Sequence, residues 1–356
     1  MPVGFVTNPL HVEHAVEDHS EGPQRLQAVL ALLEECGLLD RLERIEPRDA
    51  SDDELALAHD PRFVETLRRT CAEGGGWADA DTYIRPRSCE AAWQAAGACL
   101  AATDAVLSNR VRPDGRPSGR SAFCAVRPPG HHARPQQAMG FCLLNNIAVA
   151  AQYARQRHGL ERVAIVDIDV HHGNGTQDCF YADPNVLYVS THLYPYYPGT
   201  GAAHETGTGE GTGATVNLPL PADCGDAEYR AAFELVVEPV VRRFRPQLIL
   251  VSLGFDGHFA DPLAHMALSV AGYGELASRL QSLADELCQG RLIFVLEGGY
   301  DLTAVSWGVR HVLELLLGES PTPDPLGAAP DRPRKPSIME ILSELRHMHE
   351  LTRLRS

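Results

Sequence analysis

Apolar residues in this chain gather into short, nearly uninterrupted runs at 121–126, 162–170, 186–190, 247–253 and 291–296. Strands with one wet face alternate apolar and polar side chains, whereas parallel strands covered on both faces do not. The runs therefore predict buried parallel strands. Between them the apolar period lengthens to that of a helix. Leu276, Leu280, Leu283 and Leu287 share one face and Gly290 follows as a stop, while Tyr229, Phe233, Val236 and Val240 form a second stripe with Asp226 as its cap. Pro239 lies inside that second helix and should kink it. Strands alternating with helices make an α/β architecture, in which ligands sit beyond the carboxyl ends of the strands.

The pattern also divides the chain. Residues 1–318 carry the alternating elements, 319–336 hold six prolines and read as a linker, and 337–356 return to helical spacing. Ser337-Ile338-Met339-Glu340 is a capping-box pattern, and Ile338, Ile341, Leu345 and Met348 form a stripe suited to packing or to self-association as a homo-oligomer. The Gly- and Thr-rich stretch 198–213 lacks the ending of a phosphate loop and reads as a long surface loop of the kind that rims a pocket.

Composition narrows the classes. Lys and Arg total 31 against 47 Asp and Glu, a net charge of −16, which repels a phosphate backbone and argues against nucleic acid as partner. No stretch approaches the roughly 18 apolar residues of a membrane span, and 1–10 lack a targeting pattern. The nine cysteines contain no C-x-x-C pair and read as reduced thiols, which makes a cytoplasmic location the expectation.

Four segments carry candidate chemistry, each just after a predicted strand. In Asp167-Ile168-Asp169-Val170-His171-His172-Gly173-Asn174, the alternating Asp167, Asp169 and His171 would project to one side of a strand end. Burying such groups unpaired is costly, and a metal makes them compatible. Asp256, closing Ser252-Leu253-Gly254-Phe255-Asp256, could by itself cap a helix; beside Asp169 and His171 it completes a three-ligand site with an open position, as in catalytic zinc. Arg127-Pro128-Pro129-Gly130-His131-His132 sets two imidazoles in a shaped turn, suited to proton transfer. Leu296-Glu297-Gly298-Gly299-Tyr300 permits a tight turn that could bring a phenol to an oxyanion.

Together these motifs, in this order from about His19 to Gly318, resemble the histone deacetylase superfamily of zinc amidohydrolases, closer to its class II branch, bacterial deacetylase-like amidohydrolases and acetylpolyamine amidohydrolases included. The resemblance implies an arginase-like α/β fold with a central eight-stranded parallel sheet flanked by helices. It implies zinc on Asp169, His171 and Asp256, proton transfer by His131 and His132, carbonyl polarisation by Tyr300, Asp167 behind His131 and Asn174 behind His132. It further implies structural potassium at Asp167, Asp169, His171, Ser190 and Thr191, a second potassium near Phe180, Asp183 and Val186 held largely by backbone oxygens, and an acyl channel walled by Gly140, Phe141 and Tyr197. Two carboxylates and an imidazole suit ferrous iron or cobalt as well as zinc.

The sequence departs from the family pattern at His19-Ser20-Glu21-Gly22-Pro23-Gln24-Arg25-Leu26, and Leu263 stands where a polyamine-specific branch carries glutamate. Asp79 and Asp81 are candidates for the substrate rim. The expected activity is hydrolysis of an N-acyl amine, with acyl-lysine first and acetylpolyamine as the alternative. A binuclear manganese hydrolase would want a D-x-D-x-x-D run that is missing here, and a catalytically silent acyl-binding protein would not need every matched position filled.

Overall fold

The computed structural model describes residues 2–108, 120–330 and 337–351. Its centre is an eight-stranded sheet of β1 (Val3–Thr7), β2 (Glu43–Arg44), β3 (Ser121–Ala125), β4 (Val163–Asp167), β5 (Val186–Leu193), β6 (Thr215–Leu220), β7 (Leu248–Leu253) and β8 (Leu292–Leu296). All neighbours are parallel, in the order β2-β1-β3-β8-β7-β4-β5-β6. Helices cover both faces. Ala122 and Cys124 of β3 pack with Ser88–Leu107 and Asn146–His158, whereas Phe123 and Ala125 face the layer of Pro23–Glu35, Val270–Cys288 and Leu302–Leu316. Two covered faces explain why the strand sequences are continuously apolar.

All five predicted strands form, but the run 162–170 stops pairing at Asp167. Beyond it, Asp167 Oδ1 accepts the Asp169 N–H at 3.2 Å and Asp169 Oδ1 accepts that of His171 at 2.9 Å, while the Ile168 N–H and the Val170 carbonyl still bond to the neighbouring strands. Asp167 therefore closes the strand, and Asp169 and His171, expected along it, stand in the loop that follows. β1, β2 and β6 were not foreseen: Gly4 interrupts the first, the second has two residues, and Asn217 and Pro219 break up the third, at the sheet edge.

Three caps also differ from expectation. Gln289, one residue before the expected Gly290, takes the left-handed cap of Val270–Cys288 with φ 61°, and Gly290 follows with φ 80°. Gly225 precedes Asp226–Ala232, and the Asp226 carboxylate instead accepts the Ser269 N–H and hydroxyl at 2.9 and 2.7 Å, joining two helix starts. Ser337 forms no capping box; Ile338 precedes Met339–Met348 without a side-chain cap. Where a kink was expected at Pro239, the helix carries a π turn over Phe233–Val237 before Glu238–Phe244, since proline has no N–H for the ladder.

The last helix packs Ile338, Leu342 and Leu345 into the core, while Met348 stays exposed, so its stripe is rotated from the one anticipated. Part of the proline-rich segment, 331–336, and the end of the terminal segment, 352–356, lie outside the described residues. Among the described residues no helix is long and apolar enough to cross a membrane. One sequence expectation is overturned: Cys71 and Cys89 form a disulfide between the end of Pro61–Ala72 and the start of Ser88–Leu107, with Cα atoms 6.3 Å apart. The spacing of 18 residues carries no recognisable motif, because packing of the two helices brings the thiols together. The argument from uniformly reduced thiols to a reducing compartment falls with it.

Candidate active site

Four adjacent strands, β3, β8, β7 and β4, deliver the four chemistry-bearing loops to one edge of the sheet. Asp167 closes β4 directly across from Ser252 of β7 and Ser190 of β5, so the final rung is polar where the rungs before it are apolar. Beyond that rung, Asp169, His171 and Asp256 converge with one ligand atom of each within 4.8 Å of the others. His171 Nδ1 lies 3.2 Å from Asp169 Oδ1 and 3.1 Å from Asp256 Oδ2.

Both carboxylates are buried, and their remaining oxygens are taken by backbone: Gly298 N–H donates to Asp169 at 2.9 Å and Val170 N–H to Asp256 at 3.0 Å. Burial works against a charged imidazole at His171, yet the two carboxylates raise its pKa to about 10. The trio thus has two negative groups and one imidazole, an unbalanced set that a divalent cation neutralises once the imidazole sheds its proton. Zinc, iron(II) or cobalt chemistry fits this donor set. Gly298 must be glycine here, since a Cβ would press on both Asp256 and Asp169.

The tandem histidines stand beside the trio. His131 Nδ1 is 3.1 Å from Asp167 Oδ2, and His132 Nδ1 is 2.8 Å from Asn174 Oδ1. Burial opposes the His131 cation, but Asp169 and Asp167 hold its pKa well above the ordinary value. His132 moves the other way, through burial and then the neighbouring His131 and His171 charges. The pair is therefore split between a proton carrier and a neutral imidazole. A dication among the same carboxylates would relieve part of the field on His131.

A cavity of about 260 Å³ opens onto these groups. Its wall includes Gly140, Phe141, Tyr197 and Leu263, and its inner end His131, His132, Asp169, His171 and Tyr300. Gly140 and Phe141 both have positive φ, 57° and 67°, and a Cβ on Gly140 would meet His132 Cδ2 at 2.5 Å, so this turn needs glycine. The His132 and Tyr197 rings meet edge to face at 5.1 Å, as do Phe141 and Tyr300 at 5.8 Å. Burial keeps the Tyr300 phenol neutral, its pKa well above the usual value despite the Arg25 guanidinium over its ring. Asp81 lines the cavity, while Asp79 spends its Oδ1 on the Asp81 and Thr82 N–H groups.

Of the residues expected around potassium, Asp167, Ser190 and Thr191 are buried together behind the trio, with Thr191 Oγ1 3.4 Å from the Asp167 carbonyl. Phe180, Asp183 and Val186 cluster at the far end of β5, where the Asp183 carboxylate is taken by Arg155 and the Asn185 N–H.

Several groups had no assigned part in the sequence reading. Glu21 makes a two-pronged ion pair with Arg127, at 2.6 and 2.7 Å, and both are fully buried. Arg25 donates to the Glu297 and Gly299 carbonyls at 2.5 and 2.6 Å, fixing the glycine turn. Asp261 Oδ2 accepts the Tyr300 and Asp301 N–H groups at 2.6 and 3.2 Å. A charged residue at a strand end, as Arg127 is, was the one available signal. Thus the altered loop that begins at His19 is held by a buried carboxylate.

Residues 19–316 match the model of the histone deacetylase domain, and the chain belongs to the histone deacetylase family of hydrolases. It is 39% identical over 92% of its length to a histone deacetylase-like amidohydrolase of Pseudomonas aeruginosa, covering 83% of that protein. It is 39% identical over 91% of its length to the human polyamine deacetylase HDAC10, covering 48% of it. The crystal structure of the HDA15 HD domain superposes with a TM-score of 0.85 at 36% identity, over 99% of this chain and 95% of that one. The arginase-like fold expected from the motifs is thereby established.

Proposed function

We propose that this protein is a zinc-dependent deacylase that hydrolyses the amide of an N-acyl amine, with an Nε-acetyl-lysine side chain as the preferred class of substrate. The observation that carries the proposal is one cavity lined together by Asp169 and His171 of the trio, both tandem histidines, Tyr300 and the aromatic rings of Phe141 and Tyr197, with Asp256 held against His171 behind it. Asp169, His171 and Asp256 would hold the metal, which supplies Lewis acidity for the acyl carbonyl and for water. His131 and His132, held at Nδ1 by Asp167 and Asn174, keep Nε2 for the cavity, where they take a proton from water and return one to the leaving amine. Tyr300, a neutral phenol, donates to the carbonyl oxygen as it gains charge. Phe141 and Tyr197 flank an unbranched methylene stem, with Gly140 and Leu263 completing the wall. Potassium at Asp167, Asp169, His171, Ser190 and Thr191, and at the carbonyls near Phe180, Asp183 and Val186, would stiffen the strand ends.

An acetylated polyamine is the second reading, favoured by the Asp81 carboxylate on the cavity wall, which suits a cationic substrate. The test is kcat/KM on acetyl-lysine peptides, longer acyl-lysines and N-acetylpolyamines, with Tyr300→Phe as control. Acyl-lysine preference that Tyr300→Phe reduces about 10²- to 10³-fold supports the proposal. Polyamine preference moves the assignment to small cationic amides, and activity untouched by Tyr300→Phe overturns the mechanism.

A further inference from the structure

We propose that Glu297 is the positioning residue of the tandem histidines: anchored by Ser252, its carboxylate receives two consecutive backbone N–H groups and so sets where His131 stands in the cavity. The proposal rests on the deacylase reading above and adds to it a residue that does not itself reach the cavity.

Glu297 follows β8 directly and is fully buried. One oxygen, Oε2, accepts the Gly130 N–H at 2.6 Å and the His131 N–H at 3.2 Å. The other, Oε1, accepts the Ser252 hydroxyl at 2.9 Å. Two N–H groups converging on one oxygen fix two successive peptide planes, and with them the direction in which the His131 side chain leaves the backbone. Asp167 holds the far side of the same residue through Nδ1 at 3.1 Å, so the ring is constrained from its backbone and from its edge.

The anchor is itself rigid. Ser252 pairs across the sheet with Asp167 of β4 and with Val295 of β8, so the carboxylate links the histidine loop to three strands. Its own main chain is held as well: the Glu297 N–H donates to the Leu253 carbonyl at 2.9 Å, and its carbonyl accepts from Arg25. The loop has no slack on its other side, where Asn146 Nδ2 donates to the Pro128 carbonyl at 3.1 Å and a Cβ on Gly130 would meet the Asn146 nitrogen at 2.6 Å.

Glu297 has no ion pair among the described residues. A buried carboxylate without a cation is costly unless its acceptor sites are filled, and here backbone N–H groups and a hydroxyl fill them. A stabilising tether alone would be served as well on any strand end; this one meets the peptide that carries an imidazole of the cavity. Misplacing a reacting group by about 1 Å can cost about 10²-fold in rate.

The zinc-loaded enzyme tests this with Glu297→Leu, Glu297→Gln and Ser252→Ala, using an acetyl-lysine peptide and amide hydrogen exchange over residues 128–133. Leucine removes every acceptor at similar volume. Glutamine keeps a carbonyl for the two N–H groups and turns its amide toward the Ser252 hydroxyl. The expected result for Glu297→Leu is a kcat lower by about 10²-fold with KM within about twofold, and faster exchange over 128–133. Glu297→Gln should restore kcat to within about tenfold and return exchange to the native rate, and Ser252→Ala should fall between them. Native kcat and exchange in Glu297→Leu overturn the proposal, as does a loss carried by KM or one that glutamine fails to rescue. If the leucine variant does not fold, native kcat and exchange in Ser252→Ala overturn it. Full activity of Tyr300→Phe would defeat the deacylase reading instead, and the exchange comparison would still decide the clamp.

Discussion

Two clusters of buried charge lie near the carboxyl edge of the sheet and differ in how their charges balance. Around Arg127, one carboxylate, Glu21, meets two guanidiniums, those of Arg127 and Arg25, and the Tyr83 hydroxyl and the carbonyls of His11 and His14 complete the set. Around His171, two carboxylates share one imidazole. Burial pushes the Glu21 carboxyl up, but Arg127 outweighs it and brings the pKa down to about 2. At Asp256, burial and then the Asp169 charge leave the pKa raised. A carboxylate fully matched by guanidiniums holds the fold together; carboxylates that outnumber their cationic partner leave negative charge and room for a metal ion. The distinction lies in partners, since the carboxylates of both clusters are buried.

The most forceful way to break the comparison is Asp256→Asn. Zinc binding and turnover should fall by about 10³-fold or more. The metal-free variant should melt no lower than the metal-free native protein, because a source of unpaired charge has gone; kinetics and calorimetry on both forms check this. The converse is Arg127→Met, which leaves Glu21 only its longer contact with Arg25. Unfolding free energy should drop by about 3–5 kcal/mol in denaturant titration, with the one-to-one metal stoichiometry kept in the molecules that remain folded.

A third test uses pH. Because the folded pKa of Glu21 lies below its ordinary value, its contribution to stability is complete above about pH 4.5 and is lost as pH falls toward about 2. The native protein should therefore lose stability across that window more steeply than Glu21→Gln, which starts lower and changes less; equal slopes would contradict a stabilising ion pair at Glu21. The smallest effect is expected at Asp183→Asn. Its carboxylate is partly exposed, at 22%, and already occupied by Arg155, so about 1 kcal/mol or less should be lost and potassium affinity should hardly move.

The sequence made the central strands legible because both sheet faces are covered, and it made the loops legible because carboxylates and imidazoles at strand ends are anomalous. What it hid was contact over long separations. Glu21 and Arg127 are 106 positions apart, and Glu297 and Gly130 are 167 apart. Glu297 was in view inside a motif, but a carboxylate that holds backbone has no signature of its own. β2 was hidden by its length and β6 by Asn217 and Pro219, whereas Ser337 carried a capping signal that the fold does not use. The Cys71–Cys89 pair depends on how two helices pack and has no local mark.

The central claim is that the unbalanced trio holds one divalent ion that the reaction requires. Metal content per chain, measured alongside turnover during zinc titration of the metal-depleted protein, tests it most directly. The account predicts that activity rises in step with one zinc per chain and that Asp256→Asn binds none at the same concentration. Two essential ions per chain, or full turnover with none bound, would contradict it.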